Sequence, residues 1–538
     1  MAINQTKYDF EQEGTLGKIK IGETIAKNDL LQLDEFTGKA LKVSNVDTAA
    51  IGNVDYGTTQ SSAATGQIMA QVPANGVSGR ATSHSRNAIA RNSSNGFFYS
   101  LSSDTGTSGC NISKFNSNGS VIASKDFDTT ASASTNHHIF VLPNNNVAVV
   151  YSISGNLVYA VFDANLVEVK AITTVAAIGT VFFGATGISA GGFAVVYQDN
   201  TNALKSRLAV YDNTGTATLA PTDIWTRTGT SATQYHRMIE LSDGKLIIAV
   251  SSTNTVSTIG LYYGIFNTSG ATTKAFTLLD AVSAATIPEI SSLSGYFAVA
   301  RNNATDVKAW VLNNAGTIQG AEFSTATSSS GSNKTKIVND GSVFWLLWSS
   351  SVELDFISTK LPLTGTNYSS NNITLISGTS QYNQVIDAFY ENGLIVGISA
   401  ATSTNRNNLW VIDSNTGLLI NPNGTLIGSA AATTNGGLYL RIIPGGDRSF
   451  IAMYDYTTTA STLIFMGKYS RTSIIGIANS SGVANDLIPI KTTASFNYIN
   501  PIIGGSNSSA FDMSTNPVVG NKGSIIKAGG VVLKGLGV

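Results

Sequence analysis

The side chains best suited to catalysis or metal binding are few in this chain. Four histidines occur, His84, His137, His138 and His236, together with a single cysteine, Cys110. Neighbouring residues of a strand point to opposite faces, so the adjacent pair His137 and His138 should not share one metal ion. No HExxH, GxSxG, P-loop or zinc-type Cys/His spacing is present. We therefore expect no catalytic, cofactor-binding or metal-binding residue.

The acidic residues give no clearer sign of an enzyme. The two carboxylates of a glycoside hydrolase cannot be paired from spacing alone. The scattered candidates are expected to be solvated turn residues: Asp223, Asp306, Glu353, Asp355 and Asp387. The DNTG and DSNTG segments at Asp212 and Asp413 lack the closing Glu of an EF-hand loop, so we interpret them as turns. The sequence favours a protein that is not an enzyme and needs no cofactor, and Cys110 is expected to pack in or near the core.

Five tryptophans could stack on sugar rings: Trp225, Trp310, Trp345, Trp348 and Trp410. Because Trp345 and Trp348 are three residues apart in a strand-like run, they should face opposite sides, with one of them inside. Trp310 and Trp410 fall in corresponding runs, which suggests shared packing. We interpret all five as core residues rather than as a ligand platform.

The strand-like segments that must position these side chains recur about every fifty residues. An apolar, strand-like phrase opens at Phe97, Val147, Phe193, Leu246, Phe297, Val343, Leu394 and Phe450, with gaps of 50, 46, 53, 51, 46, 51 and 56 residues. Each unit contains further short runs bounded by Asn, Asp, Ser and Gly, such as GGFAVVYQD at Gly191 and LAVYDNTG at Leu208. Four short strands joined by hairpins at this period predict an all-β fold, a β-propeller spanning residues 80–471. Eight units favour eight blades; seven are possible if the first and last units complete one blade.

The two ends do not follow this pattern. Residues 1–79 and 472–538 both contain short β-runs and an ND-L(L/I) step, Asn28–Leu31 and Asn485–Ile488. We expect small β modules at the N- and C-terminal ends, either one joint module or two related ones, with the propeller inserted between them. The glycine-rich, apolar tail from Gly520 to Val538 should pack against another chain or the N-terminal module.

Composition narrows the classes of function. Only 12% of the residues are charged, the formal net charge is −1, and 42% are apolar. A near-neutral chain argues against nucleic-acid binding, and no run of about 18 apolar residues predicts membrane insertion. The N-terminal residues lack the apolar stretch of a secretory signal, so we expect synthesis in a cytoplasm.

Three phrases carry a resemblance to a family. IGETIAKNDLLQLDEFTGKALKV resembles small β modules of bacteriophage virion proteins, and IIGIANSSGVANDLIPIKT is similar to the closing module of propeller-containing, tail-fibre-like or head-fibre-like phage proteins. GGFAVVYQDN and LAVYDNTG are similar to their blades. The resemblance implies a structural protein of the virion, made in the host cytoplasm, with other virion proteins as partners and the N-terminal module serving attachment. It carries no catalytic residue.

Three functions follow as hypotheses. The first is a fibre or spike whose propeller recognises a host cell-surface glycan or protein, with homo-oligomers expected. The second is a capsid decoration or adaptor protein without a receptor role. The third is a polysaccharide depolymerase. The binding residues are unknown, but polar loops on one face of the ring are the candidates: Ser103–Gly109, Ser251–Ser257, Ser328–Asn333 and Ala401–Asn407.

Overall fold

The structure is a computed structural model of the 538-residue chain. It describes residues 16–20, 30–34, 39–42, 70–73, 84–104, 110–116, 121–129, 137–177, 183–199, 205–226, 233–253, 260–281, 288–302, 306–325, 335–349, 356–364, 371–376, 384–391, 393–401, 406–415, 417, 419, 425–426, 441–446, 449–456, 461–468, 474–478, 487–491, 525–528 and 531–534.

Four strands precede the repeated units: β1 (Leu16–Lys20), β2 (Leu30–Asp34), β3 (Lys39–Lys42) and β4 (Ala70–Pro73). The units themselves form four-stranded antiparallel sheets, which we call blades and number in chain order. Blade 1 contains β5 (His84–Arg91), β6 (Phe98–Asp104), β7 (Cys110–Phe115) and β8 (Val121–Asp128). Blade 2 contains β9 (His137–Val141), β10 (Val147–Ile153), β11 (Asn156–Phe162) and β12 (Glu168–Ala177).

Blades 3 to 5 have the same construction. Blade 3 contains β13 (Gly184–Gly187), β14 (Phe193–Gln198), β15 (Lys205–Tyr211) and β16 (Ala217–Thr226). Blade 4 contains β17 (Thr233–Glu240), β18 (Leu246–Thr253), β19 (Gly260–Phe266) and β20 (Thr272–Asp280). Blade 5 contains β21 (Glu289–Leu293), β22 (Tyr296–Asn302), β23 (Val307–Asn313) and β24 (Phe323–Thr325).

The last three blades complete the set. Blade 6 contains β25 (Thr335–Asn339), β26 (Phe344–Ser349), β27 (Phe356–Leu361) and β28 (Asn372–Ile376). Blade 7 contains β29 (Gln384–Glu391), β30 (Leu394–Ala401), β31 (Arg406–Asp413) and β32 (Thr425–Leu426). Blade 8 contains β33 (Arg441–Gly446), β34 (Ser449–Tyr456) and β35 (Ser461–Lys468), with β4 as its fourth strand. The repeated phrase found in the sequence marks the second strand of every blade.

Both faces of each blade are covered by its neighbours. In blade 2 the strands β10 and β11 are buried almost throughout, whereas the outer strand β12 is mostly half-buried or exposed. One apolar cluster joins blades 1 and 2, and a second joins blades 2 and 3. Alternate residues of one strand therefore enter two different cores, and the continuous apolar runs of the sequence follow from this.

The ring closes through the first and last blades. Neighbouring first strands contact one another in order around the ring, and β33 of blade 8 contacts β5 of blade 1. Phe98 and Phe115 of blade 1 share a core with Ile451 and Met453 of blade 8. Together with the pairing of β4 to β35, these contacts make a closed propeller, and the predicted fold class is confirmed.

The blade count follows from the strand pairing. The described strands form eight four-stranded sheets in the ring. The seven-blade alternative required the first and last units to share one blade. Here β4 completes the last sheet while the first unit keeps four strands of its own. Strand β4 belongs to residues 1–79, for which we predict a separate module, so the ring draws one strand from before that boundary.

The two ends of the chain meet in a separate five-stranded sheet. Its additional strands are β36 (Ile474–Ala478) and β37 (Leu487–Lys491), and its order is β1-β37-β36-β2-β3. This pairing matches the joint module rather than two separate ones. Two further strands, β38 (Ile525–Ala528) and β39 (Val531–Lys534), pair as a hairpin within the tail. The other predicted domain boundaries stay predictions.

The antiparallel order gives the ring two distinct faces. Turns between first and second strands and between third and fourth strands lie on one side, which we call the turn face. Connections between second and third strands, and from each blade to the next, lie on the other side, which we call the loop face. The longest link between consecutive ring strands, residues 427–440, joins strands that end at the loop face.

Candidate functional site

The first strands of all eight blades line an axial channel, and each contributes one residue at a corresponding register. The second-strand residues opposite them include Val150, Ala249 and Met453, which all pack against the following blade. Directly opposed residues lie on the same side of a sheet, so the first-strand residues also point the same way around the ring. We call this set the channel layer: Ala88, His138, Gly184, Arg237, Glu289, Lys336, Asp387 and Arg441.

Five consecutive members of the channel layer, from Arg237 to Arg441, alternate in charge. Arg237 Nη2 lies 2.9 Å from Glu289 Oε1. Lys336 Nζ lies 2.7 Å from Asp387 Oδ1 and 3.9 Å from Glu289 Oε2. Arg237 and Lys336 thus each reach a carboxylate of an adjoining blade, and the ion pairs tie blades 4 to 7 together around the axis.

The surroundings favour the ionised forms of Asp387 and Arg237. Burial alone would raise the pKa of Asp387, but the charges of Lys336 and Arg441 and the hydrogen bond from Lys336 outweigh it, so the pKa lies below its usual value. The Ile442 N–H also donates to Asp387 Oδ2 at 3.1 Å. The charge of Glu289 raises the pKa of Arg237. Asp387 is therefore an occupied ion-pair partner rather than a proton donor.

The remaining arc of the channel layer is uncharged. Ala88 and Gly184 are small, and His138 lies between them. Burial, followed by the charges of Arg237 and Arg441, lowers the pKa of His138 to about 3, so its imidazole is neutral at physiological pH. A hydrogen bond to the Phe183 backbone opposes that shift, while the His138 Nε2 atom is buried and has no hydrogen-bond partner. His138 is one of the residues that line a cavity of about 270 Å³.

The histidine pair behaves as the strand geometry predicts. His137 is buried in the core between blades, where its Nε2 lies 4.0 Å from the Sγ atom of Cys110 and its ring stacks on Tyr151. His138 points to the other side, into the channel, with its ring near Phe140. Cys110 is fully buried, as expected. Over the described part of the chain, no group of three or more His, Cys, Asp or Glu side chains could hold a metal ion.

The expectation that the scattered acids are solvated turn residues is wrong for Asp387, which is buried on the first strand of blade 7. Asp223 lies on the outer strand β16, where it pairs with Lys205 and Arg207. Asp306 pairs with Arg301. The two other candidates, Glu353 and Asp355, lie outside the described residues.

The DNTG segment is a turn, as predicted. Asp212 Oδ1 accepts hydrogen bonds from the Thr214 N–H at 2.8 Å, from the Thr216 N–H at 2.9 Å and from the Thr214 hydroxyl at 2.7 Å. Gly215 has a φ of 80°, and its carbonyl accepts a hydrogen bond from the hydroxyl of Tyr159 in the preceding blade. The carboxylate thus shapes a turn that locks two blades together. The Asp413 turn repeats the arrangement, since Ser358 of blade 6 donates to the Gly417 carbonyl.

The tryptophans are packing residues. Trp345 and Trp348 face opposite sides, but both are buried, at 1% exposure each. The expectation that only one lies inside is wrong because each blade has a core on both faces: Trp345 packs towards blade 7 and Trp348 towards blade 5. Trp310 and Trp410 each pack against the preceding blade from the third strand, which confirms their shared packing. Half-buried Trp225 contacts Tyr262 and Phe276.

The described strands that flank the four predicted recognition loops all end at the loop face. Ser103–Gly109, Ser251–Ser257 and Ala401–Asn407 connect second to third strands, and Ser328–Asn333 falls between β24 and β25 in the sequence. Most of the residues of these loops are outside the described ranges, including all of Ser328–Asn333. None of the described residues form a helix long and apolar enough to span a membrane.

His138 makes stability depend on pH. Its pKa is about 3 in the folded protein, against about 6.5 for an unperturbed histidine, so only the unfolded chain takes up this proton as the pH falls below 6.5. We expect His138 to reduce the free energy of unfolding by up to about 1.4 kcal/mol per pH unit towards pH 3. His138→Phe should therefore lose stability less steeply than the unmodified protein between pH 6.5 and 5 in urea titrations. Parallel curves would contradict this assignment.

Several solved structures resemble this chain at low sequence identity. No family model matches the sequence, and no curated protein matches it. The Dos1 propeller is 13% identical, with a TM-score of 0.47, and the match covers 74% of this chain and 95% of that one. The polysaccharide lyase Uly1 is 8% identical, with a TM-score of 0.39 and coverage of 84% and 99%. Apo AztD from Citrobacter koseri is 8% identical, with a TM-score of 0.39 and coverage of 70% and 99%. Because these identities and scores are low, the propeller assignment rests on the strand pairing described above.

Proposed function

We propose that this chain is a binding protein whose propeller recognises a host cell-surface glycan through the loop face, and that it serves as a fibre or spike of a bacteriophage virion. The observation that carries the recognition role is that the strands flanking all four polar segments end on one side of the ring. The virion role is supported by the resemblance of the end phrases and blades to those of phage fibre-like proteins.

The ring supplies a rigid base for such a surface. Turn-face ties recur from blade to blade, as between Tyr263 and the Gly316 carbonyl at 2.6 Å. On the loop side, Tyr151 donates to Asp128 of the preceding blade at 2.8 Å. Arg301 pairs with Asp280 of the blade before it. Strands held in this way can present loops of varied sequence without changing the scaffold.

The composition of the loop segments suits a glycan. They are rich in Ser, Thr, Asn and Gly, whose hydroxyl and amide groups both donate and accept hydrogen bonds. Sugar hydroxyls need both kinds of partner. A propeller with four such segments on one face can contact several sugar units at once.

The described acids support binding without cleavage. Glycoside hydrolysis needs one carboxylic acid that stays protonated until it reaches the leaving group. Asp387 has a lowered pKa and is paired with Lys336, and Glu289 is paired with Arg237. These channel carboxylates are therefore unsuited to the acid role.

The end sheet supports an attachment role. Strands from both ends of the chain pair there, so the two sequence ends contribute to one sheet. The tail hairpin of β38 and β39 adds a short apolar element beyond it. Apolar elements of this kind serve well as contacts between copies of a chain or with other virion proteins.

The recognition proposal predicts a loss of adhesion when the loop face is altered. Replacing residues 328–333 or 402–405 by Gly-Ala repeats of equal length should weaken binding to host cells or to arrayed host glycans at least about tenfold, since the hydroxyl and amide groups that make several hydrogen bonds of about 1 kcal/mol each are removed. A matched control carries a Gly-Ser insertion between Ser93 and Ser94, on the turn face, and should bind normally.

Melting temperatures and product analysis complete this experiment. Loop variants should melt like the unmodified protein, and mass spectrometry should find no shortened glycan. Normal adhesion by both loop variants would contradict recognition by the loop face. Shortened glycans would instead point to the depolymerase hypothesis.

The attachment proposal predicts a separate effect of the tail. Deletion of Gly520–Val538 should reduce the oligomer mass measured by light scattering, or the incorporation of the protein into particles, while the melting temperature of the ring stays unchanged. The reason is that the two described strands of the tail, β38 and β39, pair with each other and belong to no blade. Unchanged oligomer mass together with normal incorporation would show that the tail is not the anchor.

A further inference from the structure

We propose that a pocket on the turn face binds one small zwitterion, a molecule that carries both a carboxylate and an ammonium group, as a free amino acid does. The pocket has a volume of about 400 Å³ and lies where the first strands of blades 1 to 4 end and turn into the second strands. Arg91 of blade 1 and Glu240 of blade 4 belong to its two opposite sides. Because the loop face is on the other side of the ring, occupancy of this pocket does not depend on what that face recognises.

Strand register places the two charged groups of this pocket at corresponding positions. Arg91 and Glu240 are each the last residue of a first strand, and each lies opposite the first residue of the second strand that follows. The two blades between them contribute Val141 and Gly187 at the same register. Arg91 and Glu240 are the charged members of the pocket lining among the described residues. The pocket therefore presents one positive and one negative group with two uncharged positions between them.

The guanidinium of Arg91 supplies the carboxylate-binding side. This residue is half-buried, and it has no hydrogen-bond or ion-pair partner in the part of the chain that the structure describes. Of its three guanidinium nitrogens only Nε is enclosed without a partner, so Nη1 and Nη2 stay accessible. A pair of N–H donors on one guanidinium matches the two oxygens of a carboxylate. A half-buried cation without a partner is stabilised when such an anion binds.

The carboxylate of Glu240 supplies the ammonium-binding side. Ser189 of the preceding blade fixes its orientation, since the Ser189 N–H donates to Glu240 Oε2 at 2.7 Å and the Ser189 hydroxyl donates to Oε1 at 3.0 Å. Each carboxylate oxygen can accept two hydrogen bonds, so both oxygens keep capacity for a further donor. An ammonium group offers three N–H donors together with the opposite charge. Ser189 thus holds Glu240 in place without exhausting it as an acceptor.

The two uncharged positions leave room for the body of the ligand. Gly187 has no side chain, and a Cβ atom placed there would make only ordinary contact with Phe140, at 3.6 Å. Packing therefore does not close this side of the pocket. Half-buried Val141 and exposed Pro143 add an apolar wall in blade 2. The methylene groups that join a carboxylate to an ammonium can lie against this wall.

The opposite charges select the kind of ligand. An anion without an ammonium group gains from Arg91 but meets the like charge of Glu240, and a cation without a carboxylate meets the reverse. A zwitterion pairs with both groups and leaves the occupied pocket neutral. The site should therefore prefer a zwitterion to either of its singly charged analogues.

The test is isothermal titration calorimetry on the full chain at pH 7.5 and constant ionic strength. The probes are L-alanine and 4-aminobutyrate, whose charges are separated by different lengths, and butyrate and butylammonium, which carry one charge each. We expect one site per chain for at least one zwitterion, with butyrate and butylammonium each bound at least about tenfold more weakly, because one charged hydrogen bond is lost. The tighter zwitterion gives the charge separation that the pocket accepts. A singly charged probe bound as tightly as both zwitterions, or no binding of either zwitterion, would overturn the proposal.

Variants locate the site. Arg91→Gln and Glu240→Gln should each weaken binding of the tighter zwitterion at least about tenfold. Lys245→Gln and Asp243→Asn are the matched controls and should bind normally, because they remove the same charges from an ion pair on the turn face that does not line the pocket. Melting curves verify that each variant is folded, and if Arg91→Gln is not, Glu240→Gln still decides. Binding by Glu240→Gln equal to that of Asp243→Asn would overturn the proposal.

Discussion

Every blade of this protein needs a neighbour on each of its two faces. A four-stranded sheet buried on one side only would expose the alternate apolar residues of its second and third strands, such as Tyr159 and Val158, which enter two different cores. The chain meets this need by closing the sheets into a ring. Because blade 8 takes its outer strand from residues 70–73, the segment that precedes blade 1 is hydrogen-bonded to the last blade, and Phe98 of blade 1 shares a core with Ile451 of blade 8.

Closure also determines what can happen at the axis and at the faces. The first strands share a common register, so one residue of every blade lies at the same level along the axis. In this chain that level, the channel layer, consists of an alternating row of charges and an uncharged arc with His138 at its centre. The turn face is made of tight turns such as that of Asp212, whose backbone also ties neighbouring blades. The loop face receives the segments between blades. The apolar cores are thus formed by the strands, whereas the charged and polar residues discussed above belong to the axis and to the segments beside the loop face.

The sequence allowed the propeller, its period and the DNTG turns to be predicted, because each depends on local pattern: apolar runs, turn residues and fixed spacing. The burial of both Trp345 and Trp348 was not predictable in the same way, since strand alternation alone does not show whether the second face is covered. The channel layer was missed for a related reason. Its charged residues, such as Arg237 and Asp387, lie seven to nine positions before the repeated apolar phrase, a regularity that gains meaning only when the first strands surround one axis. The pairing of β4 with β35 joins residues almost four hundred positions apart and has no local signal.

Closure of the ring by β4 is the central claim, and a matched pair of truncated chains tests it most directly. Chains that begin at residue 70 and at residue 75 both lack β1 to β3 of the end sheet, and they differ in whether β4 is present. The account predicts that the longer chain keeps a cooperative thermal transition, whereas the shorter one melts several degrees lower or aggregates, because four paired residues of β4 contribute roughly 2–4 kcal/mol of hydrogen bonding. Identical melting curves for the two chains would contradict it.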